Sequence, residues 1–294
     1  MKKIIFPETF TYSTIGITIQ LKSSTILPKY KGSLFRGVLG KAMRHLSCLK
    51  KRTSCHGCEV VISCPYANLY KPRLILGNQL ITVPFVIFSP DNREFLERGE
   101  TISLQLTLFG DFIEDREFFL ECFENARKVG LGHNRARFEI IEIKQGKNGN
   151  PTKQSLAGIT PYENTIKKLK IRYLSPVSLY KKQKHIYAPR PEEIIEYLVH
   201  RINRLNKSIW QVKDYTLDRK IFALEKLNVT RCDIRYQKIF KSKGLGNKVE
   251  LSGFTGNMEL TGPLDMLYPL FRAGEILHIG SRTSYGLGKY EMCI

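Results

Sequence analysis

The sequence predicts an α+β protein built from two consecutive β-α-β-β-α-β halves, and three observations predict it. The hydrophobic period switches between two residues and about 3.6 residues in the same order in both halves. A polar stretch punctuated by glycine and proline, QGKNGNPTKQSLAGITPYE, separates them. Four closely spaced cysteines interrupt only the first half, just after its first helical segment.

Residues 9–22 read as the first strand. Ile15, Ile17, Ile19 and Leu21 share one face, and Thr14, Gly16, Thr18, Gln20 and Lys22 the other. Gly16 marks a bulge or a close backbone approach. Residues 31–47 form a helix whose apolar stripe is Leu34, Phe35, Val38, Leu39, Ala42, Met43 and Leu46. Residues 74–89 are strand-like around LITVPFVIF. Residues 101–108 alternate, with Ile102, Leu104, Leu106 and Leu108 inward. Residues 111–128 are helical, and a last strand covers 135–143 after VGLGHN.

The second half repeats this order. Residues 166–174 are a strand, and 191–209 a helix that starts on Pro191. Residues 222–236 and 248–260 pair as strands across a basic tip, KIFKSKGLGNK. Residues 263–273 form a short helix ended by Gly274. Residues 275–279 and 289–294 close the sheet as a strand or hairpin around GSRTSYGLGKY. The domains are therefore 1–145, a connection over 146–163, and 164–294. The order is that of tandem ferredoxin-like (RRM-like, βαββαβ) domains with a Cys-rich insert, each leaving one sheet face open to a ligand. A single mixed α+β domain is the alternative.

Lysine and arginine number 47 against 27 acidic residues, a net charge of +20. The cations are spread along the chain, which fits a folded surface with a positive field facing nucleic acid. No apolar run approaches the ~20 residues of a membrane span, and the N-terminus is too briefly apolar for a signal peptide. The reading is cytoplasmic, with no membrane partner.

Four of the seven cysteines, Cys48, Cys55, Cys58 and Cys64, fall in CLKKRTSCHGCEVVISCP. Four thiolates on one short loop can close tetrahedrally on zinc as a structural site. A set ending in Cys-Pro also fits iron–sulfur ligation, and spacing alone does not separate the two.

GSRTSYGLGKY is neither a phosphate-binding P-loop nor a dinucleotide fingerprint, because its glycine spacing and the short chain beyond it exclude both. It remains a backbone-exposing turn with cations and aromatics. Gly280, Gly286 and Gly288 would let backbone approach phosphate, Arg282, Ser284 and Lys289 would bind it, and Tyr285 would stack on a base. A related fragment, GLGHNRARF, carries Arg135 and Arg137. Arg36, Arg44, Lys241 and Lys243 complete the candidate RNA contacts. The plain alternative is a pair of tight turns.

Of six histidines, His45 is the candidate for proton transfer. Helical geometry sets it beside Leu34 and Val38, on the margin of the apolar stripe, where a partly shielded imidazole suits acid or base work. The alternative is a boundary histidine that only packs.

The stretches GSLFRGVLGKAMRHLSC, CPYANLY, VGLGHNRARFEI, GFTGNMELTGPL and ILHIGSRTSYGLGKY occur in this order. Together they resemble the CRISPR-associated endoribonucleases of the RAMP superfamily, which process precursor CRISPR RNA. The resemblance spans nearly the whole chain and implies tandem ferredoxin-like domains. It implies cleavage within repeats without a catalytic metal ion: the ribose 2′-OH attacks the adjacent phosphate, leaving a 2′,3′-cyclic phosphate and a 5′-OH. It implies a catalytic histidine near the first helix, matched by His45, with Tyr30 and Lys51 as the accompanying tyrosine and lysine. The four-Cys insert departs from simpler members and bears on the placement of Lys51. Partners implied are the repeat transcript and subunits of a CRISPR effector complex. A non-catalytic guide-RNA-holding subunit and a zinc-stabilised DNA-binding protein are the competing expectations.

Overall fold

The computed structural model describes residues 4–50, 54–76, 82–145, 152–211, 224–242 and 248–294. The chain divides into two compact units. One is Thr11–Gln154 with Lys207–Gln211; the other is Met1–Phe10, Ser155–Asn206 and Val212–Ile294. The first ten residues thus group with the second half, where the Leu156 amide donates to the Phe10 carbonyl at 2.9 Å. A reading along the chain, with its boundary at 145, had no signal for this return.

In the N-terminal unit the elements are β1 (Thr11–Leu21), α1 (Gly32–Ser47), β2 (Phe85–Phe88), β3 (Thr101–Phe109), α2 (Arg116–Val129) and β4 (Phe138–Gln145). The sheet is antiparallel in the order β2-β3-β1-β4. Ile15, Ile17 and Ile19 face Leu106, Leu104 and Ile102 across the β1/β3 ladder, and all six are buried. They form one core with Phe35, Leu39 and Met43 of α1 and Phe119 and Phe123 of α2, so both helices cover the same sheet face. The other face is polar, and Thr14 and Thr107 share a hydrogen bond at 3.1 Å. The irregularity in β1 falls between Thr18 and Ile19 against β4, not at Gly16. Among the described residues of the expected 74–89 strand, only Phe85–Phe88 forms a strand, while Arg73–Leu76 is helical. Trp210 belongs to this unit: its indole donates to the Thr11 carbonyl at 3.2 Å and meets Phe109 edge-on.

Lys31 reads as one more surface cation in the sequence, yet it is fully buried just before α1. Its ammonium donates to the Arg93 carbonyl at 2.5 Å, the Asp91 carbonyl at 3.1 Å and Asp91 Oδ1 at 3.3 Å. Burial pushes the Lys31 ammonium below its ordinary range, against the charge of Asp91. Burial also works against the Asp91 carboxylate, but hydrogen bonds from Arg93 and the charge of Lys31 hold it below the usual range. This knot fastens the start of α1.

The C-terminal unit repeats the topology with β5 (Leu169–Val177), α3 (Pro191–Leu205), β6 (Asn228–Gln237), β7 (Gly253–Thr261), α4 (Leu264–Leu277) and β8 (Tyr290–Cys293), in the sheet order β6-β7-β5-β8. At the start of α3, Pro191 occupies the first turn and Glu193 accepts the Arg190 amide at 3.0 Å, as a capping carboxylate does. Beyond β6 the basic tip is a ribbon in which Phe240–Ser242 pairs with Lys248–Glu250. The last helix does not stop at Gly274. It continues to Leu277, because Gly274 is a packing glycine: a Cβ there would overlap the Tyr290 hydroxyl and Leu198. Residues 275–277 are therefore helical, and only Tyr290–Cys293 forms the closing strand.

Candidate functional site

His45 lies in the last turn of α1. The helix buries Phe35, Val38, Leu39, Ala42 and Met43, which turns Lys41 and His45 outward. His45 is exposed and not partly shielded as its helical position predicted; the apolar stripe runs past it to Leu46, which packs on the core, while His45 shares the outward side with Lys41. Arg44 beside it is half-buried, and its carbonyl accepts the Cys48 amide at 2.9 Å. Two basic side chains at a helix C-terminus complement the negative end of the helix dipole.

Tyr30 sits before the other end of α1. At 1.5 Å per residue the helix sets the two backbones about 20 Å apart, too far for both side chains to reach one phosphate. Tyr30 is thus not a partner of His45. Lys51 lies outside the described residues.

Arg36 was expected at RNA. The structure places its guanidinium 4.2 Å over the Tyr70 ring, donating to the Tyr70 hydroxyl at 2.9 Å, while that hydroxyl donates to the Arg36 carbonyl at 3.0 Å. Tyr70 lies directly on Gly40, where a Cβ would overlap its ring. The small residues of α1 therefore admit a tyrosine of the same unit. Nothing in the bare sequence pairs Gly40 with Tyr70.

Cys48, Cys55, Cys58 and Cys64 line one small cavity of about 30 Å³, together with Arg44, Lys50 and Tyr66. All four are free thiols, half-buried. Among the described residues, no three His, Cys, Asp or Glu side chains are gathered closely enough to hold a metal ion. The donor chemistry and the shared cavity fit a metal, and closing the site requires the thiols to turn inward.

In the first glycine loop, Gly130 and Gly132 have φ near +70°; a Cβ on Gly130 would overlap the Arg135 carbonyl. Arg135 and Arg137 are exposed, as expected of phosphate contacts. Arg137 shares a surface groove of about 780 Å³ with Lys22, Arg127 and Lys128. Two of those cations are engaged, Lys22 with Glu139 at 2.5 Å and Arg127 with Glu124 at 2.6 Å.

The terminal glycine loop is held largely by its own backbone. The Ile279 amide donates to Gly288 at 2.9 Å, the Gly288 amide to Pro176 at 3.0 Å, the Ser281 amide to Ser178 at 2.9 Å and the Gly286 amide to Thr283 at 2.8 Å. Those amides are not available to phosphate. Lys289, expected as an RNA contact, donates through Nζ to the Glu275 carbonyl at 2.6 Å at the end of α4, and burial lowers its ammonium from the ordinary range. Tyr285 is half-buried against the cluster of Val249, Leu251 and Leu287. His278 is buried, its Nδ1 at 3.0 Å from the Leu287 carbonyl; burial and then the charge of Lys289 keep its imidazole neutral. Arg282 is exposed and Ser284 half-exposed, so these two remain as the loop's outward polar groups. Lys241 is half-buried in the ribbon, and Lys243 lies outside the described residues.

Gly288 has φ of 76°, and a Cβ there would coincide with the Ile279 carbonyl oxygen. Gly288→Ala therefore combines left-handed strain with a backbone clash, about 2–4 kcal/mol of lost stability. A lowered urea midpoint for the C-terminal unit checks this; an unchanged midpoint contradicts it.

Residues 10–167 match the family model of the AF_1859 N-terminal domain, and residues 171–290 match that of the CRISPR-associated endoribonuclease Cas6. The chain belongs to the AF_1859 N-terminal-domain family and is a Cas6-like CRISPR-associated protein. An uncharacterized protein of Archaeoglobus fulgidus is 24% identical over 275 residues, covering 90% of this chain and 92% of that one. Among solved structures, a Cas6 product complex has a TM-score of 0.61 at 16% identity, covering 97% of this chain and 100% of that one. Thermus thermophilus Cas6 has a TM-score of 0.58 at 15% identity, covering 97% and 99%. A partial Cas6-RT-Cas1–Cas2 complex gives 0.62 at 12% identity, covering 99% of this chain and 47% of that one. The Cas6-like chain shares their fold, tandem ferredoxin-like domains of antiparallel sheet and helix.

The sequence reading missed Lys31, Tyr70 and a cluster of Tyr180, His185, Tyr187 and Tyr236 in the C-terminal unit. The last had a signal: YKKQKHIY interleaves cations with aromatics.

Proposed function

We propose that this protein is an endoribonuclease that cleaves precursor CRISPR RNA within its repeats and needs no metal ion for the reaction. The ribose 2′-OH attacks the adjacent phosphorus, the bond from phosphorus to the 5′-oxygen breaks, and the products carry a 2′,3′-cyclic phosphate and a 5′-OH. His45 takes the 2′-OH proton, a second group protonates the leaving oxygen, and positive charge stabilises the crowded phosphate. Arg44 is the nearest cation in sequence, and Arg135, Arg137 and Arg282 supply exposed phosphate contacts. The observation that carries this reading is the exposed imidazole of His45 at the basic end of α1 in a Cas6-like chain. The test is incubation of purified protein with its cognate repeat RNA in EDTA, followed by end-group analysis. Cyclic phosphate and 5′-OH ends are the expected result; activity that disappears in EDTA and returns with a divalent cation would overturn metal independence.

A second reading keeps the RNA contacts without the chemistry, as a guide-RNA-holding subunit. The separation of Tyr30 from His45 favours it, since His45 then lacks that partner. Tight repeat-RNA binding with no cleavage would establish it. Solved complexes of similar fold that join Cas6 to RT-Cas1–Cas2 support CRISPR proteins as partners under either reading.

For the cysteines we propose a structural zinc ion held by Cys48, Cys55, Cys58 and Cys64. The four thiols line one cavity, and four thiolates on a short loop can close tetrahedrally on a single ion. The ion would pin the segment after α1 and supply no step of the reaction. About one zinc per chain by elemental analysis is expected in colourless protein. Cys55→Ser with Cys58→Ser should lose it and open the 48–64 segment to protease. Visible sulfur-to-iron absorbance, or wild-type protein without metal, would refute zinc.

A further inference from the structure

The C-terminal unit carries a ring cluster beside the terminal glycine loop that takes no part in the proposed chemistry. A small hairpin pairs Tyr180–Lys181 with Lys184–His185. The Tyr180 and His185 rings lie 4.3 Å apart between centroids, at 39°. His185 meets the Tyr236 ring of β6 at 5.5 Å, and Tyr187 meets Tyr236 at 4.5 Å. Four rings from two strands of chain thus form one continuous surface.

Its supports are built in. The Tyr197 hydroxyl of α3 accepts the Tyr180 amide at 2.6 Å and donates to the Tyr180 carbonyl, which anchors the hairpin. Glu250 of the ribbon sits 3.3 Å from His185 Nε2 and orients that ring. A hydrogen bond from Ser252, then His185, then the charge of Arg282 hold the Glu250 carboxyl below the usual range. Val249 and Leu251 on either side of Glu250 pack with Leu287 and Tyr285, which brings the glycine loop to this ribbon. Burial, with the charge of Glu250, pushes the Tyr236 hydroxyl up to about 12, which keeps it a neutral donor.

A cluster made only for packing hides its rings. Here Tyr187 is 57% exposed, while Lys181, Lys182, Lys184 and Arg282 around it are exposed cations. Of these, Lys181 pairs with Glu193 at 3.1 Å, and Glu250 is the carboxylate within the surface itself. An accessible aromatic face with exposed cations on the same hairpin is the chemistry that holds an unpaired base with its backbone phosphates. A base paired in a stem presents no free face to it.

We propose that Tyr187, backed by Tyr236 and His185, is a stacking site for one unpaired nucleobase of the bound RNA, with Arg282 or the hairpin lysines on the adjoining phosphate. This rests on the reading of the protein as an RNA-processing enzyme. It adds to that reading a requirement for a single-stranded segment in the substrate, outside any stem.

The test uses the full-length protein and a set of cognate repeat RNAs, each with 2-aminopurine at one position. Stacking on tyrosine quenches its fluorescence. Wild-type protein should quench one unpaired position strongly, Tyr187→Phe should keep that quench, and Tyr187→Leu should lose it with about tenfold weaker binding. Because Tyr187 is exposed, these changes leave the fold intact, and a normal circular dichroism spectrum confirms it. Quench and affinity unchanged in Tyr187→Leu would overturn the stacking site while leaving RNA binding in place. Wild-type protein that binds none of these RNAs would overturn the functional reading, and this proposal with it.

Discussion

His45→Ala should slow repeat-RNA cleavage about 10²–10⁴-fold, the span that a positioned proton-transfer group contributes. Binding of the same RNA should change little, because His45 is a single exposed side chain among many cations and the field of a +20 chain dominates affinity. The measurement is single-turnover cleavage with saturating enzyme, alongside filter binding. An equal rate in the variant removes His45 from the reaction. A loss of affinity as large as the loss of rate would make it a binding residue instead. Tyr30→Phe, by contrast, should leave the rate within about twofold, since α1 holds the tyrosine at its opposite end.

Asp91→Ala should cost about 3–5 kcal/mol, the range seen when one partner of a buried ion pair is removed. Lys31 is wholly inside the protein, with two carbonyl oxygens and Asp91 as its acceptors. Without the carboxylate, its charge stays buried against backbone dipoles alone. Lys31→Met combined with Asp91→Leu should recover most of the loss, because replacing both charges with apolar groups removes the desolvation cost. Urea unfolding of the N-terminal unit reads both effects. A single variant as stable as the wild type, or a double variant worse than the single, contradicts this account of how α1 is anchored.

The fold was legible wherever a face alternates. β1 buries every second residue from Ser13 to Leu21, and β3 does so from Ile102 to Leu106 before its last four residues are all buried, so period and partner could be read directly. β2 could not be bounded, because all four of its residues are buried and no alternation marks its ends. Gly274 looked like a helix end from composition, while its role depends on Tyr290, sixteen residues on. Lys31 is the plainest case: charge alone assigns it to the surface, and only the three acceptors around it explain its burial.

The site divides the same way. Features carried by local chain were legible, such as the exposed arginines of the first glycine loop, the place of His45 in the last turn of α1 (though not its exposure) and the cysteines around one cavity. Features that depend on distant partners were not. Arg36 belongs to Tyr70, and Lys289 belongs to the end of α4. Most of the terminal loop's amides bond within its own unit, so the loop acts as a scaffold presenting Arg282 more than as a phosphate cradle.

Attack by the ribose 2′-OH is isolated by one substitution in the RNA. Repeat RNA with a single 2′-deoxy nucleotide at the cut site is incubated with wild-type protein in EDTA, beside the all-ribose RNA. The expected result is cleavage of the ribose substrate to a 2′,3′-cyclic phosphate, and an intact deoxy RNA that binds equally well. Cleavage of the deoxy RNA at the same position would contradict it.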